Sequence, residues 1–366
     1  MASLDDLRRQ IDLLDDQIVQ ALNARAELAR QIGAAKQVAG VGVFSPDRER
    51  EILERVTARS AGPLPRHSLL AVYRELMSAS FALERPPRIG YLGPAGSHTH
   101  EAALGKFGSS VEYEPLLDLR GVFEELTRGR VDYGVVPVEN TTGGAVLDCL
   151  DAFVDHDVKI CCEVRRAIHH HLLGRGPMEE IEIVYSRPEA LAQCRGWLAE
   201  TGLAQKLSPV GSTSRAAELA ATQPRAAAVG GVLAGRLYGL QVLASNIEDH
   251  SRNATRFFVL GRETAGPTGE DRTSLMFATA HRAGALVEVL LVFQRHAVNM
   301  TMITSRPCPG EAMEYNFFVD VDGHAERDPL RGAIEEARDH CRTLRVLGSY
   351  PRVSEVLDEE PSRAKG

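Results

Sequence analysis

The chain has 366 residues, of which 44% are hydrophobic and 25% are charged, values that are ordinary for a globular protein. This length allows two or three domains, each with its own core. The formal net charge is −8 and the chain has no basic run. These features give nucleic-acid binding little support, because phosphate contacts need a positive surface. No apolar stretch is long enough to span a bilayer, so we expect no membrane partner.

The cysteines and histidines give no metal-ligand pattern. The six cysteines form no CxxC pair, and the N-terminus lacks the apolar core of a signal peptide. These features favour reduced thiols in a cytoplasmic protein. If His169, His170 and His171 lie on a strand, they face alternate sides and cannot share one metal. We therefore expect neither a metal nor a cofactor.

The first part of the chain is predicted to be helical. Residues 4–37 carry apolar side chains at the three- and four-residue spacing of a helix with one buried stripe. Such a helix is roughly 50 Å long at 1.5 Å per residue. A unit of about 90 residues cannot cover it alone, which favours a homodimer or a higher homo-oligomer. Further helices are predicted from Pro46 to Arg59 and from Leu69 to about Leu83.

Polar residues interrupt the apolar stripes of these helices. Arg25 stands in the heptad series between Ile18 and Ile32, where it either lies at the edge of the stripe with its head in water or points into an anionic site. Ser80 and Glu84 likewise either lie at a fraying helix end or belong to such a site. Arg8, Lys36 and Arg48 could join Arg25, and this cluster favours the anionic site. The residues that carry the family resemblance described next are Leu7-Arg8-x-x-Ile11, Leu14-Asp15, Arg25-x-Glu27-Leu28-Ala29, Lys36, Asp47-Arg48-Glu49-Arg50, and Ser80 with Glu84.

This set of residues resembles the all-helical chorismate mutase domain, in which two three-helix chains interlock and each active site borrows an arginine from the partner. The resemblance implies conversion of chorismate to prephenate, a pericyclic rearrangement that needs charge stabilisation and a folded substrate but no nucleophile. By the resemblance, the substrate is bound by Arg25, Arg48, Ser80 and the partner's Arg8, and the catalytic residues are Lys36, Glu49 and Glu84. Many members have Gln in place of Glu84; a glutamate there must be protonated to donate a hydrogen bond, so we expect mutase activity to decline as pH rises.

From Arg88 to about Gly261 short apolar strands alternate with helices, which predicts a mostly parallel α/β sheet. Three strand-to-helix junctions carry small polar residues: Gly93–Thr99, Glu139–Gly144 and Gly211–Ser214. Each junction is explained either by helix capping or by anion binding at a helix start. Asn253 and Thr255 open a strand in the same unit, so the set together favours a pocket for a small anion with more than one carboxylate.

This region resembles prephenate dehydratase over nearly its whole length. The matching stretches are residues 91–97, 136–141, 170–173 with Ile168, 212–217, 238–240 and Asn253-Ala254-Thr255-Arg256-Phe257. The resemblance implies a two-lobed fold like that of periplasmic binding proteins, and conversion of prephenate to phenylpyruvate with Thr255 as the catalytic residue. The implied substrate-binding residues are Ser97, Asn140, Thr141, Ser212, Thr213, Asn253 and Arg256.

The last part of the chain is predicted to follow the order βαββαβ of a ferredoxin-like α+β domain, after a polar linker over residues 262–271. The turn Gly284-Ala285-Leu286-Val287 and the run Ser305-Arg306-Pro307, where Thr304 replaces a glutamate, resemble the ACT regulatory domain of prephenate dehydratases. These seven residues are the implied allosteric site for L-phenylalanine.

We therefore expect three domains, over residues 1–86, 88–262 and 272–352, and a bifunctional enzyme of L-phenylalanine biosynthesis inhibited by its product. Two other functions remain open. One is a dehydratase that prefers arogenate and has a degraded mutase, which the charges at Arg8, Arg25, Lys36 and Arg48 disfavour. The other is a non-catalytic amino-acid sensor, which would not need Thr255 and its polar neighbours.

Overall fold

The computed structural model describes residues 3–40, 42–250, 252–308, 315–353 and 356–357. The chain divides into two compact units. The first comprises residues 1–45, 51–87 and 107–112; the second comprises residues 46–50, 88–106 and 113–366. Within the described ranges, no helix has the length and apolar character needed to cross a membrane.

The first unit is helical, as predicted. Ser3 begins the first helix with a capping box that it forms with Asp6, and Gly40 ends it in the left-handed conformation, with φ of 69°. Pro46 occupies the first turn of the second helix, where its missing N–H costs nothing. The first turn of that helix belongs to the second unit. The helices are α1 (Leu4–Ala39), α2 (Pro46–Arg59) and α3 (Arg66–Glu84).

Helix α1 packs on α3 at a point where only glycine fits. A Cβ on Gly33 would lie 2.8 Å from the Cα, Cβ and Cγ atoms of Glu84, closer than real Cβ contacts allow. The rest of α1 is largely uncovered in the single chain, because the apolar stripe is about half exposed at Leu7, Ile11 and Ile18. The apolar stripe of α1 therefore lies on the surface of the single chain.

The second unit contains three sheets and most of the remaining helices. The helices are α4 (His98–Phe107), α5 (Leu119–Thr127), α6 (Leu147–Asp155), α7 (Pro188–Gln193), α8 (Arg195–Glu200), α9 (Thr213–Thr222), α10 (Val232–Tyr238), α11 (Ala285–Arg295) and α12 (Leu330–Arg338), with a 3₁₀ turn at Met178–Glu180. The strands are β1 (Arg88–Leu92), β2 (Glu112–Leu116), β3 (Tyr133–Asn140), β4 (Gly144–Ala145), β5 (Lys159–Ala167), β6 (His171–Gly174), β7 (Ile183–Ser186), β8 (Leu207–Pro209), β9 (Ala226–Gly230), β10 (Gln241–Ala244), β11 (Ala254–Gly261), β12 (Asp271–Ala278), β13 (Met300–Pro307), β14 (Tyr315–Asp322) and β15 (Thr343–Pro351).

Two of the sheets form two lobes, and the prediction of mostly parallel sheets is wrong for both. The first lobe has the strand order β2-β1-β3-β11-β5 with β4 beside β3, and the second has β10-β6-β9-β7-β8. Strand β1 is parallel to β3, but β11 is antiparallel to both β3 and β5. The chain leaves the first lobe after β5, builds the second lobe, and returns as β11 to fill the gap. This long-range return is not visible in local patterns.

The chain between Pro188 and Glu200 forms two helices, because it turns at Cys194 and the Asp249 carboxylate accepts from the N–H of Gly196 at 3.1 Å, which caps a new helix start. The linker expected to reach Asp271 ends before it, because Asp271 is the first residue of β12.

The C-terminal sheet has the order β13-β14-β12-β15, and its elements follow the predicted sequence strand, helix, strand, strand, helix, strand. This sheet shares one hydrophobic core with the first lobe: Phe153, Ile160 and Phe258 pack with Met276 and Tyr350. The approach is so close that a Cβ on Gly348 would lie 2.0 Å from the carbonyl oxygen of Ile160. The C-terminal sheet is therefore packed directly onto the strands that carry the candidate dehydratase site.

Candidate active sites

The first unit brings Lys36 and Glu84 together between α1 and α3. The Lys36 ammonium donates to Glu84 Oε2 at 3.0 Å and to the carbonyl oxygen of Val43 at 2.7 Å. The Glu84 side chain is 7% exposed and the Lys36 side chain 26%. Gly33 makes this pairing possible, because its lack of a side chain lets α3 approach α1.

Arg25 lies on α1, N-terminal to Lys36, and it also contacts α3. Its Nη1 donates to Ser80 Oγ at 2.5 Å and to the Leu76 carbonyl oxygen at 3.2 Å, and Ser80 donates to that same carbonyl at 2.8 Å. Arg25 therefore points toward α3. Among the described residues, its Nε and Nη2 have no hydrogen-bond acceptor, so these donors are available to an anionic ligand.

The other residues implied for the mutase site are Arg8, Arg48 and Glu49, of which the last two belong to the second unit. Arg8 is exposed beside Asp5, and 17 residues of one helix separate it from Arg25, a span of about 25 Å. Arg48 is exposed in the first turn of α2. Glu49 is buried, and its carboxylate accepts from Lys106 Nζ at 2.5 Å within the second unit.

In the second unit, the end of β3 and the start of β11 build a polar cluster around Asn140. Asn140 Oδ1 accepts from the backbone N–H groups of Thr142 and Gly143, both at 2.9 Å. Only an oxygen can accept from two backbone donors, so the amide orientation is determined. Asn140 Nδ2 must then donate outward, to Thr255 Oγ1 at 2.8 Å and to Asn253 Oδ1 at 2.9 Å.

This arrangement decides what the Thr255 hydroxyl can do. Because Thr255 Oγ1 accepts from Asn140, its own proton is free to be donated. Thr141 supports the cluster from the side: its hydroxyl accepts from the N–H of Ala254 at 3.0 Å. The Thr255 hydroxyl is therefore an oriented donor beside two side-chain amides. It can donate a hydrogen bond to an oxygen that leaves a substrate.

Gln193 and His170 extend this cluster and were not predicted as site residues. Asn253 Nδ2 donates to Gln193 Oε1 at 3.2 Å, and His170 Nε2 lies 2.8 Å from the same oxygen. Burial, and then the nearby His98, lower the pKa of His170 to about 4, so its imidazole is neutral at pH 7. Gln193 is 23 residues from His170 and 60 from Asn253 in sequence, and no local pattern marks it.

The helix starts at Ser97 and Ser212 act as caps. Ser97 Oγ accepts from the N–H of His100 at 3.2 Å, and Ser212 Oγ accepts from the N–H of Arg215 at 3.0 Å. Thr213 is buried beside Ser212. The capping interpretation therefore holds for both serines, and each oxygen keeps a lone pair or proton for another partner.

Helix α4 presents a charged group to the second lobe. His98 Nδ1 lies 3.0 Å from Glu101 Oε2, and Arg166 Nε lies 3.4 Å from that oxygen. Burial opposes ionisation of Glu101, but the hydrogen bond and charge of His98, followed by Arg166, outweigh it and lower the pKa of Glu101 to about 2. Buried His98 Nε2 and His170 Nδ1 have no hydrogen-bond partner within the described ranges.

Arg256 does not join the Asn140 cluster. Its guanidinium donates to Glu163, Asp320 and Tyr350, on the side of β11 that faces the C-terminal sheet. Successive side chains of a strand project to opposite faces, so the Arg256 guanidinium projects away from the Thr255 hydroxyl. The structure thus gives Arg256 partners other than the substrate that the resemblance implies.

A surface pocket lies beside the predicted allosteric turn. Gly284, Ala285, Leu286 and Val287 all line a cavity of about 210 Å³, together with residues 279–282, Tyr315 and Phe317. The Ser305-Arg306-Pro307 run is on β13, outside this lining. Arg306 Nε donates to Asp151 Oδ1 at 2.7 Å, so this arginine links the C-terminal sheet to α6.

The fold and these clusters define a class of multidomain enzyme: a helical unit with Arg25 and Lys36 between two helices, a two-lobed α/β unit with a hydroxyl and amide cluster, and a C-terminal sheet with two helices. Comparison with known families agrees. Residues 7–85 match the chorismate mutase type II family, and residues 89–265 match the prephenate dehydratase family.

Individual relatives cover nearly the whole chain. The bifunctional chorismate mutase/prephenate dehydratase of Aquifex aeolicus is 43% identical over 96% of this chain and 99% of its own. The structure of a prephenate dehydratase from Arthrobacter aurescens in complex with L-Phe is 30% identical, has a TM-score of 0.67, and covers 72% of this chain and 90% of its own. GqqA, described as a novel type of quorum quenching acylase, is 28% identical with a TM-score of 0.68, and covers 73% of this chain and 98% of its own. The chain belongs to the bifunctional chorismate mutase/prephenate dehydratase family.

Proposed function

We propose that this chain converts chorismate to prephenate in a mutase domain (residues 1–86), converts prephenate to phenylpyruvate, CO₂ and water in a dehydratase domain (88–262), and is inhibited by L-phenylalanine through an ACT domain (272–352). The observation that carries the proposal is the Thr255 hydroxyl, which Asn140 holds at 2.8 Å with its proton free. Family membership over 96% of the chain supports both activities.

The mutase step needs cations around a folded, doubly carboxylated substrate. The free Nε and Nη2 donors of Arg25 can bind a carboxylate with two hydrogen bonds. Lys36 stabilises the negative charge that develops on the ether oxygen when its hydrogen bond to Glu84 is shared with that oxygen or replaced by a bond to it. No proton is transferred in the rearrangement, so holding and stabilising the folded conformer accounts for catalysis.

A homodimer would complete this site. Arg8 lies about 25 Å from Arg25 along α1, so it cannot serve the pocket of its own chain. The exposed apolar stripe of α1 supports a symmetric pair in which two α1 helices cover each other. In that arrangement the partner's Arg8 supplies the second carboxylate contact.

The dehydratase step joins decarboxylation to loss of the ring hydroxyl. The bond between the ring and its carboxylate breaks to release CO₂, the electron pair moves through the ring, and the C–O bond at the opposite carbon breaks. Thr255 donates a hydrogen bond to the departing oxygen, which leaves as hydroxide and takes a proton from solvent to become water. Asn140, Thr141 and Asn253 hold the substrate and the hydroxyl in place, and aromatisation drives the reaction.

The cavity beside Gly284–Val287 supports phenylalanine binding. It is lined by apolar Leu286, Val287 and Phe317 and by polar backbone at a glycine turn, a combination that suits an amino acid with an aromatic side chain. Binding there would inhibit the dehydratase by favouring a less active state of the second unit.

The test is to supply purified protein with chorismate and to follow prephenate and phenylpyruvate together, with and without L-phenylalanine. Thr255→Val should abolish phenylpyruvate formation and let prephenate accumulate at the wild-type rate. Thr222→Val, at an exposed threonine of α9, is the matched control and should leave both activities intact. Formation of phenylpyruvate by Thr255→Val at the wild-type rate would refute the assignment. Arogenate supplied in place of prephenate tests the preference of the dehydratase.

A further inference from the structure

The residue after the candidate catalytic threonine is anchored in the C-terminal sheet. Arg256 Nε donates to Glu163 Oε2 at 2.6 Å, Nη1 to Asp320 Oδ2 at 2.5 Å, and Nη2 to the Tyr350 hydroxyl at 2.9 Å. Arg256 is 6% exposed and its three partners are at most 1% exposed. Glu163 is on β5 beside β11, whereas Asp320 and Tyr350 are on β14 and β15.

The partners of Arg256 are themselves held together. Ser274, on β12, donates to Asp320 Oδ1 at 2.5 Å and shares a 2.7 Å hydrogen bond with the Tyr350 hydroxyl. Burial, reinforced by the Asp320 carboxylate, raises the pKa of Tyr350 well above its ordinary value, so the phenol stays protonated. The guanidinium is thus attached to a network that spans three strands of the C-terminal sheet.

The pairing of β11 with β3 is irregular close to Thr255. The register shifts between Arg256 and Phe257, where Val138 of β3 has no partner on β11, which is a β-bulge in β3. A bulge disrupts the hydrogen-bond ladder locally, so the position of the paired strand depends more on its other contacts. Arg256 follows Thr255 directly and is fixed at all three guanidinium nitrogens, so its anchoring holds the backbone that carries Thr255.

Space is available for this anchor to move. A cavity of about 190 Å³ borders this network, and its lining includes Arg256, Arg272 and Asp320 as well as Thr255. A network packed on all sides could not shift, but one that borders a cavity can change its position with the C-terminal sheet.

We propose that Arg256 is a positioning residue through which the C-terminal sheet, by way of Asp320 and Tyr350, sets the place of the Thr255 hydroxyl and hence the turnover of the dehydratase. This inference rests on the proposed dehydratase function. A misplacement on the order of 1 Å at a reacting group can cost about 100-fold in rate. A change in the network is therefore expected to lower kcat while substrate binding at the Asn140 cluster is kept.

The experiment compares Asp320→Asn and Tyr350→Phe with Ser349→Ala in the full-length protein. Ser349 is a matched control: it is 1% exposed, next to Tyr350 on β15, and its hydroxyl bonds to Thr273 at 2.8 Å, away from Arg256. The measurements are kcat and KM for dehydration of prephenate, mutase rate on the same preparation, and the thermal midpoint. We expect kcat to fall about tenfold to 100-fold in Asp320→Asn, and less in Tyr350→Phe, with KM and mutase rate within about twofold of wild type.

The following results would contradict the positioning role of Arg256 or the dehydratase function on which it rests. If both network variants match Ser349→Ala in kcat, or if kcat and KM change together in all three variants, Arg256 does not position Thr255. Tyr350→Phe removes a single hydroxyl, so it decides the matter even if Asp320→Asn fails to fold. A wild-type protein without prephenate dehydratase activity would instead remove the proposed function, which is a separate failure.

Discussion

Gly33→Ala should damage the mutase and leave the dehydratase intact. A Cβ at this position would lie 2.8 Å from three atoms of Glu84, whereas ordinary contacts begin at 3.4 Å. To restore an ordinary contact, helices α1 and α3 would have to separate by about 3.4 − 2.8 = 0.6 Å at this point. The two ends of the Lys36–Glu84 pair are on these two helices, so its 3.0 Å hydrogen bond would be displaced.

Gly33→Ala has one destabilising and one stabilising effect on the free energy of unfolding, and the two partly offset each other. Overpacking costs about 1–3 kcal/mol, and replacing glycine by alanine inside a helix returns about 1 kcal/mol. The free energy of unfolding should therefore fall by no more than about 2 kcal/mol, and the protein should remain folded. Activity is more sensitive, because a shift approaching 1 Å at a charged catalytic group costs on the order of 10- to 100-fold.

The assay measures chorismate consumption and prephenate dehydration on one preparation of the variant. We expect mutase kcat/KM to fall at least about tenfold and dehydratase kcat/KM to stay within about twofold. Gly62→Ala is the control, since an added Cβ there meets nothing within 4 Å. A Gly33→Ala protein with wild-type mutase activity would show that the close approach of α1 and α3 does not position Lys36 and Glu84.

Two further predictions concern the pH dependence of stability and the assembly of the chain. The pKa of His170 is about 4 when folded and about 6.5 when unfolded, so its contribution to stability is complete above pH about 6.5 and is lost as pH falls toward 4, up to about 3 kcal/mol. Urea unfolding at several pH values should show this loss of the free energy of unfolding, and His170→Gln should make the loss smaller. If the free energy of unfolding of the variant falls between pH about 6.5 and pH about 4 as much as that of the wild type, the buried imidazole of His170 is not the cause. Ile18→Glu, on the exposed stripe of α1, should yield monomers by light scattering and abolish mutase but not dehydratase activity, whereas Gln20→Glu on the opposite face should do neither; dimers of Ile18→Glu with full mutase activity would exclude this interface.

Local features of the sequence were enough to predict the helices and most of the strands. The three-residue and four-residue spacing on α1, the proline that begins α2, and the serine before α9 each act within a few residues of their position. The same holds for the order of elements after Asp271. These predictions succeed because hydrophobic periodicity and capping depend on neighbours along the chain.

The resemblance to known families supplied the candidate site residues, and the structure gives several of them geometry. Asn140 and Thr255 are 115 residues apart in sequence, yet they meet at 2.8 Å. The sequence alone gave no reason for that contact, because it depends on β11 returning between β3 and β5 after the second lobe is complete.

What the sequence by itself determined is therefore the set of elements, their caps and the long uncovered stripe of α1, all properties that act over short distances. Tertiary structure alone decided that the sheets are mixed, that Gln193 and His170 reach the Asn140 cluster, and that Arg256 faces Asp320 and Tyr350. The physical reason is that strand pairing and side-chain direction are chosen by the packing of distant segments, and a bulge of one residue redirects a side chain without leaving a mark in the local pattern.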